Sequence, residues 1–574
     1  MSTTGILRSR RSAAQRHAMV SVVRKISAID PTTGCKYLRD FREAYRSYER
    51  VLSPSDVRHE IAEAGVVLVG DYHALPNSQR YLASLLRDPE LHQRPVVLGV
   101  ETIFSRDQHI LDEWFRGEID EHELRARIRF DLDWGYDWAT FYELLSAARD
   151  HGASVYGLDC MPREDLRKIG ARDRHAADKI AELRRRYSNA LIVVLFGESH
   201  LAPQHLPALL QERLPAEPTL TVLQNVDALY WRAAGEARDH VECVEVRKNV
   251  FCVFNATPLE KYETYRLWLD RWGRCDNHSA PDLGPTLYNL IEGMVRFLGI
   301  NQYSLHNTTQ PRLLVDLMPE VYSHSSDALL RRLLSRHGFT AEHRRSLLRQ
   351  VRERGSVYLA PINAVYVRQF RMTSSAEDAV RCLHQACRGL PNLSNGKAPA
   401  AQAALGAKTL DQDDAFYMAV FEHALAFFGS RILHPARPAL RDTDIAELFD
   451  VTREDLEHQT SLPFADAVEV LDFLVEHRKR DFHGNDFRSS HRSHRHTSAP
   501  ESLAPAPAFT GRKREYAAEQ LGCLTGTDLY DAYIEGRLST ANLRKLFLAH
   551  IEEPGVACEA YVQLRMRLRS GPRA

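Results

Sequence analysis

The sequence has little of what marks a membrane, secreted or nucleic-acid-binding protein. It contains no apolar run near the roughly 20 residues of a transmembrane helix, and charged residues interrupt its N-terminal segment before a signal-peptide core can form. The nine cysteines are scattered and include no C-x-x-C pair, which argues against a disulfide framework and a structural zinc site. The net charge of -1 favours neither nucleic acid nor anionic lipid. We therefore expect a cytoplasmic protein with no membrane span and no nucleic-acid partner.

The chain is long enough for more than one hydrophobic core. Its 574 residues, 26% charged and 44% hydrophobic, are typical of a globular protein of two or three domains. Stretches rich in small residues, or in Ser, His and Pro, predict linkers between them. The predicted order is a flexible basic leader at 1–35, an α/β domain at 36–256 with a helical insertion at about 104–150, a mostly helical region at 257–488 with a linker at 389–410, a disordered linker at 489–514 and a small helical tail at 515–574.

Short apolar runs alternate with amphipathic segments in the first half of the chain. Five of these runs predict strands: VVLV (66–69), VVLGV (96–100), SVYGL (154–158), LIVVLF (191–196) and TLTVLQ (219–224). Two more apolar runs within 241–255 predict edge strands or a hairpin. Helical patterns between most of the runs are typical of a parallel sheet covered on both faces. The predicted fold is therefore α/β, a parallel sheet flanked by helices with an inserted helical subdomain, followed by a mostly α-helical C-terminal region.

Acidic residues and histidines follow the predicted strands. They are Asp71 and His73 after the first strand, Glu101 after the second, Asp159 after the third, Glu198 and His200 after the fourth, and Asn225 and Asp227 after the fifth. Each can have a purely structural role, since glycines permit turns and acidic residues cap helices. However, the carboxyl ends of parallel strands meet at one edge of a sheet, where ligands bind. Two endings also share a G-[DE]-x-H pattern, GDYH and GESH, so we predict a common cleft.

Two imidazoles and several carboxylates in one cleft suit three kinds of chemistry. A divalent metal would be held by Asp71, His73, Glu101 and His200. A hydrolase would use a histidine as general base and a carboxylate to orient it, from the set His73, Glu101, Glu198 and His200. A haem cofactor would be bound by Tyr72, His73, His200 and, through a propionate, Arg172. The spacing of these residues does not choose among the three.

The predicted insertion is rich in aromatic residues. They are Trp114, Phe115, Trp134, Tyr136, Trp138 and Tyr142. Such a segment either forms a lid over a flat apolar cofactor or packs on its own aromatic side chains. Both interpretations stay open at the level of sequence.

Several stretches in order resemble one known family. VVLVGDYHALPNSQR, RPVVLGVETIFSRDQ, WGYDW, RDRHAADKI and VVLFGESHL are similar to the ChaN-like haem-binding uptake domain, in the superfamily of the Tiki proteases, TraB-type proteins and erythromycin esterases. The resemblance covers roughly residues 60–230. It implies a parallel α/β core with a smaller helical subdomain, and a cleft lined by His73, Glu101 and His200 with Asp71 and Glu198 beside them.

The chain departs from the family pattern in two ways. The first motif usually contains Glu where Asp71 stands here, and members are typically lipoproteins, whose signal this chain lacks. The leading hypothesis is a ChaN-like protein that binds haem or a related iron cofactor. One alternative is an esterase-like or metallopeptidase-like hydrolase. The other is a non-catalytic scaffold whose helical half binds a protein partner or a second copy of the chain.

Overall fold

A computed structural model describes residues 3–30, 35–161, 168–236, 240–272, 282–300, 318–388, 412–483, 506–551 and 555–569. The chain divides into two units: one is 19–279, and the other combines 1–18 with 280–574. The first element is helix α1 (Thr3–Ile29), in the segment for which the sequence predicted a flexible leader. The helix carries an apolar stripe at a spacing of four residues, and this stripe is buried: Ala14, Ala18, Val22 and Ile26.

The unit at 19–279 contains the predicted α/β domain. After α1, its elements are α2 (Lys36–Ala44), β1 (Arg50–Leu52), α3 (Pro54–Glu63), β2 (Val66–Asp71), α4 (Pro76–Leu86), β3 (Val96–Phe104), α5 (Gln108–Phe115), α6 (Glu121–Arg127), α7 (Phe130–Asp133), α8 (Trp138–Asp150), β4 (Ser154–Asp159), α9 (Ile169–Arg186), β5 (Leu191–Gly197), α10 (Leu206–Arg213), β6 (Thr219–Gln224), α11 (Asp227–Glu236), β7 (Cys243–Arg247), β8 (Val250–Val253) and α12 (Pro258–Trp272).

These strands form one eight-stranded sheet in the order β1-β7-β8-β6-β2-β5-β3-β4. The five strands predicted from apolar runs are all parallel to their neighbours, so the predicted fold class is confirmed. The two strands predicted within 241–255 are β7 and β8; they pair as the antiparallel hairpin and lie inside the sheet, so the edge-strand alternative is wrong. Strand β7 is antiparallel to β8 and to β1, a strand of three residues that the sequence analysis missed. Strand β1 is too short to show the alternation of apolar and polar residues by which a strand is recognised in a sequence.

Helices cover both faces of the sheet. Successive side chains of a strand point to opposite faces, so Val67 belongs to the layer that contains Trp114 of α5, whereas Val66 belongs to the layer that contains Ile180 of α9. The predicted insertion forms α5 to α8, and it packs directly on one face of the sheet. The α/β unit therefore has a buried layer of side chains on each side.

The second unit is mostly helical, as predicted. Its elements from residue 280 onward are α13 (Gly284–Leu298), β9 (Glu320–Ser323), α14 (Asp327–Arg336), α15 (Ala341–Arg354), β10 (Ser356–Leu359), β11 (Ala364–Val367), α16 (Met372–Arg388), α17 (Gln412–Leu433), α18 (Asp442–Glu447), α19 (Arg453–Thr460), α20 (Phe464–His483), α21 (Gly511–Ile534), α22 (Thr540–Phe547) and α23 (Val556–Arg569). The strands form a small sheet in the order β10-β11-β9.

The predicted linkers and tail differ in part from this arrangement. The linker at 389–410 lies outside the described residues, as does the part of 489–514 that precedes residue 506, while α21 already begins at Gly511. Leu521 of α21 and Tyr561 of α23 are buried in one cluster with Val420 of α17 and Leu471 of α20. The C-terminal helices thus complete a core with the preceding ones.

Among the described helices, none has the length and apolarity needed to cross a membrane.

A substitution in a central strand tests how much a buried side chain of the sheet contributes to the stability of the α/β unit. Leu98 of β3 is fully buried in the layer facing the insertion. We expect Leu98→Ala to reduce the free energy of unfolding by about 2–5 kcal/mol, because the substitution removes buried methyl groups and leaves a cavity. Urea unfolding followed by circular dichroism measures this change. The matched control is Leu132→Ala, at a leucine that is 70% exposed, and an equal effect of the two substitutions would contradict the assignment of Leu98 to the core.

Candidate functional site

A cavity of about 710 Å³ lies at the carboxyl ends of the parallel strands. The ends of β2 and β5 supply Asp71 and Gly197, and β3 supplies Glu101. The remaining walls come from α1, α2, the insertion, α9, α11 and α12 and from the residues next to them, and every lining residue belongs to the unit at 19–279. The structure therefore brings the predicted strand-end residues together around one cleft.

His73 is oriented by the carboxylate that ends β2. Its Nδ1–H donates to Oδ2 of Asp71 over 2.8 Å, while Nε2 of Gln79 donates to the other oxygen of Asp71 over 2.6 Å. Because Nδ1 donates to Asp71, the ring is held with Nε2 directed towards Glu101. The His73 side chain lines the cavity and is 23% exposed.

His200 is oriented in the same way by a residue that the sequence analysis missed. Its Nδ1–H donates to Oδ1 of Asp173 in α9, and the hydroxyl of Tyr37 donates to Oδ2 of Asp173 over 3.0 Å. The His200 side chain is only 4% exposed. The two G-x-x-H motifs thus give equivalent Asp–His pairs that both border the cavity, with the ring of His200 the more deeply buried of the two.

Glu101 lies between the two histidines. Nε2 of His73 is 3.8 Å from one of its oxygens, and Nε2 of His200 is 3.8 Å from the other. The sequence predicted Glu101 after the end of a strand, but β3 continues to Phe104 and its pairing with β4 is irregular between Val100 and Phe104. A local irregularity of this kind re-aims side chains beside a functional site.

The Glu101 carboxylate is buried and ionised. Nη2 of Arg172 donates to Oε1 over 2.5 Å, and the backbone N–H of Gly197 donates to Oε2 over 2.6 Å. Burial alone would raise the pKa of Glu101, but the charges of His200, Arg172 and His73, together with the Gly197 N–H, lower that pKa from 4.5 to about 2. The carboxylate is therefore a fixed negative charge between the imidazoles.

Arg172 and Gly197 have roles that the sequence analysis did not assign. The Arg172 guanidinium also donates to both oxygens of Asp159, over 2.8 and 2.9 Å, and it is buried. It lines the cavity, but its guanidinium is bonded to the carboxylates of Glu101 and Asp159. A Cβ atom at Gly197 would lie 3.1 Å from both Oε2 of Glu101 and Nε2 of His73. The glycine of GESH is therefore required for this close approach.

Glu198 is paired with a lysine and does not orient a histidine. Nζ of Lys261 in α12 donates to its two oxygens over 3.0 and 2.9 Å and lies 4.5 Å from the ring centroid of Tyr72. Burial raises the pKa of Glu198, while Lys261 opposes this increase. The sequence analysis placed α12 outside the α/β domain, but Lys261, Tyr265 and Trp268 all line the cavity. These three residues are four and three positions apart, a spacing that places them on one face of a helix. This spacing was the feature of the sequence from which their common location could have been predicted.

Aromatic rings form much of the cavity wall. The ring centroids of His73 and Trp134 are 4.3 Å apart, and Tyr136 and Trp268 stack at 4.5 Å. Of the six aromatic residues noted in the insertion, only Trp134 and Tyr136 line the cavity. The others pack in the insertion and on the sheet: Trp114, Phe115, Trp138 and Tyr142. Both interpretations of the insertion thus apply, each to different residues.

The remaining strand-end residues have local partners. Burial, followed by the influence of Tyr262 and Glu198, raises the pKa of the Tyr72 phenol well above its ordinary value, so the phenol keeps its proton at neutral pH. Asp227 accepts a hydrogen bond from the Tyr262 hydroxyl, and the Asn225 side chain donates to Asn255 over 2.6 Å.

Within the described ranges, no group of three or more His, Cys, Asp and Glu side chains is arranged to hold a metal ion. The divalent metal considered from the sequence is therefore not supported.

The fold and the cleft define a parallel α/β domain with a buried network of acidic and histidine side chains. Residues 57–192 match the family model described as "Haem-binding uptake, Tiki superfamily, ChaN". The match confirms the family resemblance for these residues, which are a minority of the chain. A solved structure titled "Cofacial heme binding to ChaN of Campylobacter jejuni" is similar over 30% of this chain and 86% of that chain, with 15% identity and a TM-score of 0.25. Comparison with curated proteins gave no match.

The buried Glu101 carboxylate predicts a pH dependence of stability. Its folded pKa of about 2 lies below the ordinary 4.5, so it stabilises the fold fully above pH 4.5 and progressively less as the pH falls towards 2. We expect Glu101→Gln, although destabilised at neutral pH, to lose less further stability over this window than the parent protein does. Urea midpoints at several pH values measure the difference. The control is Glu212→Gln, at a carboxylate that is 73% exposed; a parallel loss in Glu101→Gln and this control would contradict the assignment.

Proposed function

We propose that the cleft binds haem or a related flat iron cofactor, with His73 as the ligand to iron. The observation that carries the proposal is the state of the His73 ring, which lines the cavity while its Nδ1–H donates to Asp71. A histidine held through one nitrogen by a carboxylate offers the other as a well-oriented and more basic metal ligand. His200 is a weaker candidate for the iron because its side chain is buried.

The volume and lining of the cavity fit a flat conjugated ring. The volume of about 710 Å³ is within the usual range of small-molecule pockets, which is about 300–1,000 Å³. Trp134, Tyr136 and Trp268 contribute aromatic surface beside His73. Aromatic rings favour offset stacking with another conjugated system. A bound haem would supply an iron centre for ligand binding or redox chemistry.

The charged residues of the cavity suggest where acidic groups of the cofactor would bind. Arg42 lines the cavity together with Lys261. Arg172, the propionate partner suggested by the sequence, has its guanidinium bonded to Glu101 and Asp159. We assign the propionate role to Arg42 because it is a cationic residue of the cavity lining. The protonated phenol of Tyr72 makes it a less suitable iron ligand than His73.

The family match supports the same proposal independently of the geometry. Residues 57–192 include His73 and Glu101, and the matching family is described as haem-binding. The match ends before His200, so the role of the second histidine rests on distances alone.

Hemin titration of the full chain tests the proposal. We expect a Soret shift at micromolar hemin, and a loss of affinity of at least about tenfold in His73→Ala, because the iron loses its protein ligand. Asp71→Asn, which removes the orienting carboxylate, should weaken binding by about 10–100-fold. The control is His59→Ala, at a histidine of α3 that is 68% exposed. Absence of a shift in the parent protein, or equal affinities of His73→Ala and His59→Ala, would overturn the proposal.

A second candidate function, acid–base catalysis by a hydrolase, is favoured by one observation. Both histidines are paired with an aspartate through Nδ1 and directed towards Glu101 through Nε2. A carboxylate that orients an imidazole is the arrangement used for a general base. The site would then activate water or a hydroxyl at the Nε2 atom of His73, the more exposed ring.

A screen with ester and peptide substrates tests this second candidate. We expect turnover that falls by about 10²–10⁴-fold in His73→Ala, the contribution typical of general base catalysis. The catalytic rate should be unaffected in the control His59→Ala. Measurements with and without hemin separate the two candidates, since a hydrolase of this type works without it. No turnover of either substrate class would exclude the second candidate.

A further inference from the structure

Helices α14 and α15 form a helix-turn-helix. Helix α14 has ten residues and α15 has fourteen, and the four residues 337–340 join them. The turn contains Gly338 at a φ of 71°, a conformation that glycine adopts readily. Thr340 caps α15 by accepting a hydrogen bond from the His343 N–H over 3.2 Å. A turn of three or four residues with a glycine is the connection found in the DNA-binding motif of that name.

The motif has its own small core with the hairpin that follows it. Leu330 and Leu334 of α14 are buried in one cluster with Val351 of α15 and Tyr366 of β11. Strands β10 and β11 pair in antiparallel fashion directly after α15. The core fixes the two helices relative to the hairpin, so their outer side chains form a defined surface.

This surface is strongly basic although the whole chain is not. The segment 318–371 contains ten arginines and no lysine, against four acidic residues. Four arginines on α14 and α15 are exposed and have no ion-pair partner within the described residues: Arg331, Arg332, Arg336 and Arg345. We call these four residues the arginine face. Its positive charge is compensated elsewhere in the chain, which explains why the net charge of -1 gave no sign of it.

A side-chain contact joins the two helices that carry the arginine face. Arg344, which precedes Arg345 in α15, donates to the Ser335 hydroxyl of α14 over 2.9 Å. Ser335 lies four residues after Arg331 and three after Arg332, on the same side of the helix. The contact therefore brings the beginning of α15 next to the basic side of α14. Unpaired guanidinium groups on adjacent helices provide several donors that match phosphate oxygens.

We infer that the arginine face binds the phosphate backbone of double-stranded DNA. A membrane surface is less suitable, because interfacial helices insert apolar side chains. The described residues of 318–371 include no exposed large apolar side chain. The absence of lysine favours a partner recognised by bidentate contacts, as phosphates are. The helix-turn-helix then positions α15 towards the major groove, as this motif does in DNA-binding proteins.

Fluorescence anisotropy with a labelled mixed-sequence DNA duplex tests the inference on the full chain. We expect binding at low salt that weakens as salt is raised. In Arg331→Gln/Arg332→Gln, the slope of log affinity against log salt should become less steep by about 0.9 for each lost phosphate contact, or about 1.8 in total. The matched control is Arg185→Gln/Arg271→Gln, at two exposed arginines of the α/β unit. It should bind the duplex like the parent protein.

Three results would overturn the inference. The first is no duplex binding at low salt, and the second is an equal change in the arginine-face variant and its control. The third is binding to vesicles that contain anionic lipid but not to the duplex, which would identify a membrane surface as the partner. Thermal unfolding of both variants should match that of the parent protein, because all four substituted side chains are exposed.

Discussion

The cleft depends on one buried negative charge, the carboxylate of Glu101. A buried charge is costly unless it is paired and hydrogen-bonded, and here Arg172 and the Gly197 N–H bind its two oxygens. These contacts tie the irregular end of β3 to α9 and to the end of β5. Loss of a single partner from such a network leaves a buried charge uncompensated, at a cost of about 3–5 kcal/mol. The same charge sits between the two imidazoles, so the interaction that holds the strand ends together also sets the electrostatics of the site.

Two nearly identical motifs acquire different chemistry because they lie at different depths. Both histidines follow a parallel strand, both donate through Nδ1 to an aspartate, and both direct Nε2 towards Glu101. Both histidines line the cavity, but the side chain of His73 is 23% exposed and lies against the aromatic wall, whereas that of His200 is 4% exposed. A ligand in the cleft therefore has more access to the first imidazole than to the second. This asymmetry is the physical reason for giving His73 the iron ligand role in the proposed function.

The strands and their acidic endings were predictable because each is a local pattern: an apolar run followed by a glycine and a polar cluster. The partners of the histidines were not all local. Asp71 is two residues from His73, but Asp173 reaches His200 from α9. The sequence analysis had considered Arg172, the neighbour of Asp173, only for its positive charge. Glu198 is adjacent to the second histidine motif and was assigned to orient an imidazole, yet Lys261 of α12 pairs with it. Residues from separate elements come into contact only when those elements pack together, and these contacts cannot be predicted from local patterns in a single sequence.

The net charge of the whole chain also failed to predict where charged side chains cluster in the structure. A value of -1 for the whole chain averages the acidic network of one unit with the arginine-rich segment of the other, although electrostatic interactions weaken over about a Debye length of roughly 8–10 Å. A partner responds to the charges within that distance. The cavity is lined only by residues of 19–279, and the arginine face lies wholly within 280–574. The proposed ligand binding in the cleft and the proposed phosphate binding at the helix-turn-helix therefore involve separate sets of charges, and a substitution in either set can serve as a control for the other.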